Sequence, residues 1–219
     1  DHQQPARVGV LITNLGTPEA PTGKALRPYL KQFLSDPRVV EVPRLLWWFI
    51  LNGIILNVRP RRSAKAYKEV WTDAGSPLLV HTRDQAGALG KTLEDIYGDD
   101  IIVDFAMRYG QPSIDSVLQS MLDKGVRKLL VMPLYPQYSG PTTGSTFDAL
   151  AADFSTRRWL PQLRFVSHYC DHPGYIAALA ASIQSYRAEH GSADKLVFSY
   201  HGERRRYLAV GVPFHCPGL

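Results

Sequence analysis

Short β-rich runs alternate with longer helical stretches along almost the whole chain, and this alternation limits the possible folds most strongly. The predicted strands run from Val8 to Thr13, Ile101 to Arg108, Arg127 to Leu134, Leu163 to His168 and Lys195 to Tyr200. Helical patterns lie at about 22–34, 43–57 and 61–71, from Ser76-Pro77 onward, and at about 112–124, 145–155 and 173–190. Because crossovers of this length join parallel strands, the pattern predicts an α/β fold with a doubly wound parallel sheet.

The predicted elements divide the 219 residues into three parts. Residues 1–7 are polar, and we expect them to form a flexible amino terminus. Residues 8–190 contain the first four strands and are predicted to form a Rossmann-like domain. The fifth strand falls within 191–219, which we interpret as the truncated beginning of a second, similar domain.

Composition narrows the functional classes. Hydrophobic residues make up 45% and charged residues 21% of the chain, as in ordinary globular proteins. The net charge of +5 favours acidic small molecules or anionic surfaces, but no long basic run or zinc-finger spacing occurs, so no nucleic-acid partner is expected. Cys170 and Cys216 form no Cys-x-x-Cys pattern, and the first residues lack the apolar core of a signal peptide. A reducing, cytoplasmic location is therefore predicted.

The segment from Leu45 to Leu56 is strongly apolar. It is too short to span a membrane as a helix, and Asn52-Gly53 interrupts it. The basic residues that follow it would suit an anionic lipid surface; they are Arg59, Arg61 and Arg62. Two interpretations are compatible with this pattern. The segment is either a helix buried in the domain or an apolar lip, at about 43–58, that guards a hydrophobic ligand and touches a membrane.

Polar residues follow the second and third predicted strands. Arg108 and Tyr109 stand at the exit of the second strand, and a loop rich in tyrosine, hydroxyl residues and glycine, 134–146, follows the third. Strand ends in open α/β sheets line the ligand crevice, and a helix that begins after such a loop attracts anions. A carboxylate or a phosphate could dock there, but the loop lacks the ending of a Walker motif, which argues against a nucleotide. Further carboxylate contacts could come from Arg59, Arg61, Arg62 and Ser76, and together these residues suggest a ligand with a broad apolar body and acidic arms. The alternatives are a ligand-free connection, and an Arg108 paired with Asp104 or Asp115.

A histidine, His201, stands at the exit of the fifth predicted strand, just before Gly202. A neutral imidazole at this place can accept a proton or bind a metal ion near pH 7. The alternative is a histidine that only forms hydrogen bonds within its loop.

Several motifs resemble, in the same order, those of the ferrochelatases, which insert ferrous iron into a porphyrin during haem synthesis. The resemblance covers residues from about 8 to 202, and its tyrosine-proline-glutamine-tyrosine-serine and serine-x-histidine-glycine motifs are specific in combination. The matching stretches are Val10 to Pro18, Gly75 to Pro77, Arg108-Tyr109, Leu134 to Ser139 with Thr142 to Ser145, and Phe198 to Gly202.

The resemblance implies a Rossmann-like chelatase domain that acts on protoporphyrin IX and Fe2+, both as substrates, with no tightly bound cofactor. His201 matches the family's active-site histidine, which binds iron or takes the pyrrole protons. Gly140 stands where animal relatives carry a cysteine ligand, so a [2Fe–2S] cluster of that type is not expected. The resemblance favours the lip at 43–58, with peripheral contact at the inner membrane. The positions that match porphyrin contacts are Leu15, Arg62, Ser76, Arg108, Tyr109, Tyr135, Tyr138 and Ser139.

The chain departs from the family pattern after Gly202. A hydrophobic residue and proline usually follow, but this chain has Glu203-Arg-Arg-Arg206. The family's histidine-x-glutamate pair belongs to the carboxyl-terminal half of its members, and that half lies outside this sequence. A porphyrin-binding fragment without catalytic activity and another tetrapyrrole metal chelatase therefore stay open as alternatives. A monomer and a homodimer are both compatible with the sequence.

Overall fold

A four-stranded parallel sheet forms the centre of the protein in a computed structural model that describes residues 6–199. The strands are β1 (Arg7–Thr17), β2 (Ile101–Gly110), β3 (Val126–Pro133) and β4 (Gln162–Phe165). Their order across the sheet is β2-β1-β3-β4, and every pairing between them is parallel. The chain thus builds outward from β1 first to one side and then to the other. This order confirms the predicted α/β fold with a doubly wound parallel sheet.

Seven α-helices lie between or after these strands within residues 6–199. They are α1 (Gly23–Ser35), α2 (Arg44–Ile50), α3 (Leu56–Val70), α4 (Pro77–Tyr97), α5 (Ile114–Asp123), α6 (Ser145–Thr156) and α7 (Pro173–His190). The predicted break between helices at 57–61 is wrong. A π-helical turn, Leu51–Ile55, instead joins α2 directly to α3 in one continuous helical run.

The helix continues through Pro60 because another residue satisfies the carbonyl that proline leaves without a donor. Proline has no backbone N–H, so the usual hydrogen bond from position 60 to the carbonyl of Leu56 is missing. The Arg27 side chain on α1 donates to that Leu56 carbonyl over 2.5 Å and to Asn57 Oδ1 over 2.9 Å. The interruption in the sequence pattern therefore becomes a link between α1 and α3.

The first strand extends four residues beyond the predicted end at Thr13. β2 continues alongside it, so that Gly16 pairs with Tyr109 and Thr17 with Gly110. A Cβ atom at position 16 would lie only 1.8 Å from the Tyr109 carbonyl oxygen, and the backbone φ there is +109°. Only glycine fits this close approach without strain.

Two groups of buried apolar residues stabilise the fold. One contains residues of the central strands together with α5 and α6; its members include Leu11, Ala106, Leu118, Met121, Val131 and Leu150. The other joins α1 to α3 and to the end of β2; its members are Leu26, Tyr29, Leu30, Leu34, Leu51, Leu56, Ala64 and Tyr109. Burial of this apolar surface is the main favourable contribution to folding.

The fifth predicted strand is not observed in its described part. Residues 195–199 adopt no regular secondary structure, and the side chains of Val197 and Phe198 are 85% and 62% exposed. A strand needs a hydrogen-bonded neighbour, and β4 pairs only with β3 within residues 6–199. β4 itself ends at Phe165 rather than at the predicted His168. His201 lies outside the described residues.

Candidate active site at the carboxyl edge of the sheet

The strand order reverses between β1 and β3, and this point is where open α/β sheets bind ligands. The backbone N–H of Leu134, directly after β3, donates to the Thr13 carbonyl of β1 over 2.7 Å. The two strands then separate. β1 carries Leu15 near its carboxyl end, and the loop after β3 carries Tyr135, Tyr138 and Ser139. The structure therefore brings these predicted site residues to the same edge of the sheet.

The loop after β3 ends in a π-helical turn that joins α6 directly. Ser139 precedes a π-helical turn, Gly140–Gly144, which continues directly into α6 at Ser145. The backbone N–H groups of Thr142 and Gly144 both donate to the Ser139 carbonyl. π-helical turns often occur at functional sites. The loop therefore ends in a hydrogen-bonded turn that belongs to the same helical run as α6.

Two predicted site residues on this loop place buried hydroxyl oxygens in the protein interior. Tyr135 Oη and Ser139 Oγ have no hydrogen-bond partner among the described residues. Burial raises the pKa of the Tyr135 hydroxyl well above its usual range, so this group stays protonated. A buried hydroxyl without a partner loses its hydration, and a bound molecule with a polar group would restore that hydrogen bond.

Arg108 and Tyr109 at the end of β2 both bind Asp36, the residue that follows α1. The Arg108 Nη2 group donates to Asp36 Oδ2 over 2.6 Å, and the Tyr109 hydroxyl donates to the same oxygen over 2.8 Å. Ser145 Oγ at the start of α6 also donates to it, over 2.6 Å. Neither Asp104 nor Asp115, the partners proposed from the sequence, forms this ion pair. Asp36 lies 72 residues from Arg108 along the chain, and no local sequence signal connects them.

The contacts in this cluster shift the pKa values of Asp36 and Tyr109 in opposite directions. Burial raises the pKa of Asp36, but hydrogen bonds from Ser145, Tyr109 and the Arg38 backbone, with the charge of Arg108, outweigh it, and the net pKa lies below the usual value. Tyr109 is fully buried, and burial raises the pKa of its hydroxyl well above the usual range. The Arg108 guanidinium also stacks over the Tyr109 ring, 4.5 Å from its centroid. The start of α6 thus already has a carboxylate beside it, that of Asp36, which belongs to the chain itself.

The apolar segment after α1 has one anchored side and one exposed side. Leu51 and Leu56 are buried, and Trp47 Nε1 donates to the Leu34 carbonyl over 2.6 Å. The exposed side chains are Leu45, Leu46, Trp48, Phe49, Ile54 and Val58, each more than half exposed. Within residues 6–199 the segment is therefore not a fully buried helix, and the apolar lip stays a prediction. Within residues 6–199, no helix has the length and apolar content needed to cross a membrane.

Arg62 lies beside this lip. A groove of about 620 Å³ runs along α3, where Arg59 and Arg62 flank an apolar floor that includes Ile54 and Val58. Because its walls combine apolar surface with guanidinium groups, the groove suits a hydrophobic molecule that carries carboxylates.

Ser76 lies at the N-cap of α4, as predicted, but it is buried and its side chain caps no backbone N–H. Thr82 on α4 contacts Asn14 near the carboxyl end of β1, whereas Gly90 approaches Val103 near the amino end of β2. α4 therefore runs from the carboxyl edge of the sheet toward the amino edge. Ser76 precedes Thr82 by about 9 Å along the helix axis, so it lies at the carboxyl edge. The Leu15 backbone N–H is held by Asn14 Oδ1 over 2.8 Å.

Four residues of the site were not predicted as site residues. Asn14 and Ser145 lie within the matching stretches but were not singled out, whereas Asp36 and Thr82 lie outside every motif. No group of three or more His, Cys, Asp or Glu residues suited to hold a metal ion occurs in the described part of the chain.

Comparison with known proteins identifies the family. The ferrochelatase family model matches residues 7–217. The protein named Ferrochelatase from Idiomarina loihiensis is 65% identical over 215 residues, which cover 98% of this chain and 59% of the relative. Relatives of the same name from Teredinibacter turnerae and Pseudoalteromonas atlantica are 65% and 62% identical, and the match covers 60% of each. The chain thus spans about three fifths of the length of these relatives. With the family model matched along almost its whole length, the chain belongs to the ferrochelatase family.

Proposed function

We propose that the protein containing this chain inserts Fe2+ into protoporphyrin IX and so forms protohaem. The observation that carries this proposal is the match of the family model to residues 7–217, together with relatives named Ferrochelatase at up to 65% identity. Two features support it: the tyrosine-rich loop at the carboxyl edge of the sheet, and a basic, apolar groove on α3. Together they suit a broad hydrophobic ring with acidic arms.

Eight residues are proposed to form the porphyrin-binding surface. Leu15 would pack against the macrocycle, and Tyr135 and Ser139 would supply hydroxyl groups that lack partners among the described residues. Arg62 and Ser76 would approach the propionates. Tyr109 is fully buried and would act by supporting Arg108, whose side chain is 17% exposed. Tyr138 completes the surface on the loop after β3.

The reaction exchanges two protons for one metal ion. Fe2+ enters the macrocycle as the two inner pyrrole N–H groups lose their protons, so a base must lie on one face of the ring. His201 is proposed as this catalytic residue, as proton acceptor or as iron donor, because a neutral imidazole can fill either role. Remote contacts to the ring and its propionates would help distort the macrocycle, which exposes the nitrogen lone pairs.

The same proposal includes a set of partners and a location. Fe2+ is a substrate, and no tightly bound cofactor is proposed. Gly140 has no side-chain donor, so a [2Fe–2S] cluster of the animal type is not proposed. We place the protein in the cytoplasm, with the exposed lip in peripheral contact with the inner membrane. The apolar side chains of the lip and the nearby Arg59 and Arg62 match a surface of anionic lipid.

Metal insertion by the natural gene product that contains these residues tests the proposal. Zinc or ferrous insertion into protoporphyrin is followed by the change in porphyrin absorbance and fluorescence. We expect turnover in the wild type and its loss in His201→Ala, whereas His190→Ala, an exposed histidine at the end of α7, keeps full activity. Tight porphyrin binding without turnover would instead identify a binding module. Turnover with cobalt but with neither iron nor zinc would identify another chelatase.

A further inference from the structure

The carboxylate of Asp36 serves parts of the fold other than its own helix. Asp36 is the C-cap of α1, where a negative charge is unfavourable because the helix dipole is negative at this end. Its backbone N–H already caps the helix through the Phe33 carbonyl. The side chain, only 2% exposed, makes its contacts with Arg108, Tyr109 and Ser145 instead. Its role therefore lies at the junction of β2 and α6.

Arg38, two residues after Asp36, also contacts α6. Its backbone N–H donates to Asp36 Oδ1 over 2.7 Å, and its Nη2 group donates to Asp148 Oδ1 over 2.8 Å. The guanidinium also lies against Gly144, where a Cβ atom would be 3.0 Å from Arg38 Nη1 and 3.2 Å from Tyr138 Oη. Asp36 and Arg38 thus form a clasp, one anion and one cation, on the first turn of α6.

The clasp fixes the far end of the loop that follows β3. The near end is held by the hydrogen bond from Leu134 to Thr13. Between these anchors lie three residues proposed to contact the porphyrin: Tyr135, Tyr138 and Ser139. Because the π-helical turn continues directly into Ser145, a shift of Ser145 moves this turn with it. Charge matters as well as shape, since a neutral side chain at position 36 leaves the Arg108 guanidinium without its counter-ion.

We propose that Asp36 is a positioning residue for porphyrin binding: through Ser145 and Arg108 it fixes the loop after β3 in its ligand-binding arrangement. This inference rests on the proposed function. Asp36 touches no substrate atom in this role, and it acts through the residues that it holds.

Porphyrin binding by the natural gene product tests this role. Asp36→Asn keeps the size of the side chain and removes its charge. We expect it to weaken protoporphyrin binding about tenfold, to raise KM for porphyrin more than it lowers kcat, and to shift the absorbance maximum of the bound porphyrin. The matched control is Asp153→Asn, which breaks another partly buried ion pair of α6, with Arg157. This control is expected to lower stability and to leave porphyrin binding unchanged.

A second variant covers the case in which Asp36→Asn does not fold. Ser145→Ala removes a single hydroxyl from the cluster and is expected to weaken porphyrin binding about threefold. Wild-type binding constants and an unshifted spectrum in a folded Asp36→Asn, or in Ser145→Ala when Asp36→Asn does not fold, overturn the role of Asp36 alone. A wild-type protein that binds no porphyrin overturns the proposed function, and this role with it.

Discussion

The side-chain amide of Asn14 donates to the hydroxyl of Thr82 over 3.0 Å, and this hydrogen bond joins the central strand to α4. The Thr82 hydroxyl itself donates to the Leu78 carbonyl, so it is both donor and acceptor in a fully buried position. The Asn14 side-chain oxygen meanwhile accepts from the Leu15 backbone. One amide therefore couples the helix that begins at Ser76 to the strand end that presents Leu15.

Thr82→Val tests this coupling. The substitution keeps the shape and leaves the partly buried Asn14 amide without this acceptor, so we expect a loss of about 1–3 kcal/mol in the free energy of unfolding. Urea unfolding measures it. Thr92→Val is the matched control, because Thr92 on the same helix also donates to the carbonyl four residues earlier but is exposed. Its expected effect is within about 0.5 kcal/mol. Equal losses in the two variants would contradict the importance of the Asn14 contact.

Gly16→Ala tests the close approach of β1 and β2. The new Cβ atom would overlap the Tyr109 carbonyl, and the positive φ would add strain, so we expect destabilisation by more than about 3 kcal/mol. Gly87→Ala, in the interior of α4 with open space around it, should instead stabilise the protein by about 0.5–1 kcal/mol. Thermal and urea unfolding of both variants give the comparison. A Gly16→Ala variant of wild-type stability would show that the strands can separate here.

The pH dependence of stability tests the state of Asp36. Its folded-state pKa lies below the ordinary value of 3.8, so the ionised carboxylate stabilises the fold above that value. This contribution is lost as the pH falls through the folded-state pKa. Asp36→Asn should therefore destabilise the protein by about 3 kcal/mol at pH 7 and by less below pH 4. Urea unfolding at both values measures the change. An equal difference from wild type at pH 7 and pH 3 would contradict it.

Trp48→Ser tests the proposed membrane contact of the lip. Trp48 is 58% exposed, and its loss should weaken sedimentation with phosphatidylglycerol vesicles several-fold, because an interfacial aromatic side chain is removed. Trp159→Ser is the matched control: Trp159 is 50% exposed but stacks with Arg127, outside the lip. Equal retention of both variants on the vesicles would argue against a membrane role for the lip. Binding that persists with uncharged vesicles would show that anionic lipid is not required.

The sheet could be predicted from the sequence because its signals are local. The apolar run of β1 around Val10–Ile12 and the Ser76-Pro77 start of α4 are readable within a few residues. The parallel order of the strands followed, and with it the common edge near which Leu15, Arg108 and Tyr135 lie. The length of β1 was not readable, since Gly16 belongs to the strand only because Tyr109 lies opposite.

Sequence patterns did not predict hydrogen-bond and ion-pair partners that are far apart along the chain. Asp36 looks like an ordinary turn residue before proline, and only the folded chain brings it to Arg108. The strand predicted at 195–200 failed in its described part for a related reason. Apolar composition signals the capacity to pair, but pairing itself depends on a neighbouring strand that composition does not supply.

The hydrogen bond from Arg27 to the Leu56 carbonyl changes what a proline does to this helix. A proline normally releases a backbone acceptor to water and loosens the helix at that point. Here the Arg27 guanidinium on α1 donates to the released Leu56 carbonyl, so the missing hydrogen bond within one helix is replaced by a contact between two helices. The backbone of the lip is thus held at Leu56 by a side chain outside the lip. A mutation at position 27 would remove this donor and weaken the contact between α1 and α3 without changing any residue of the lip.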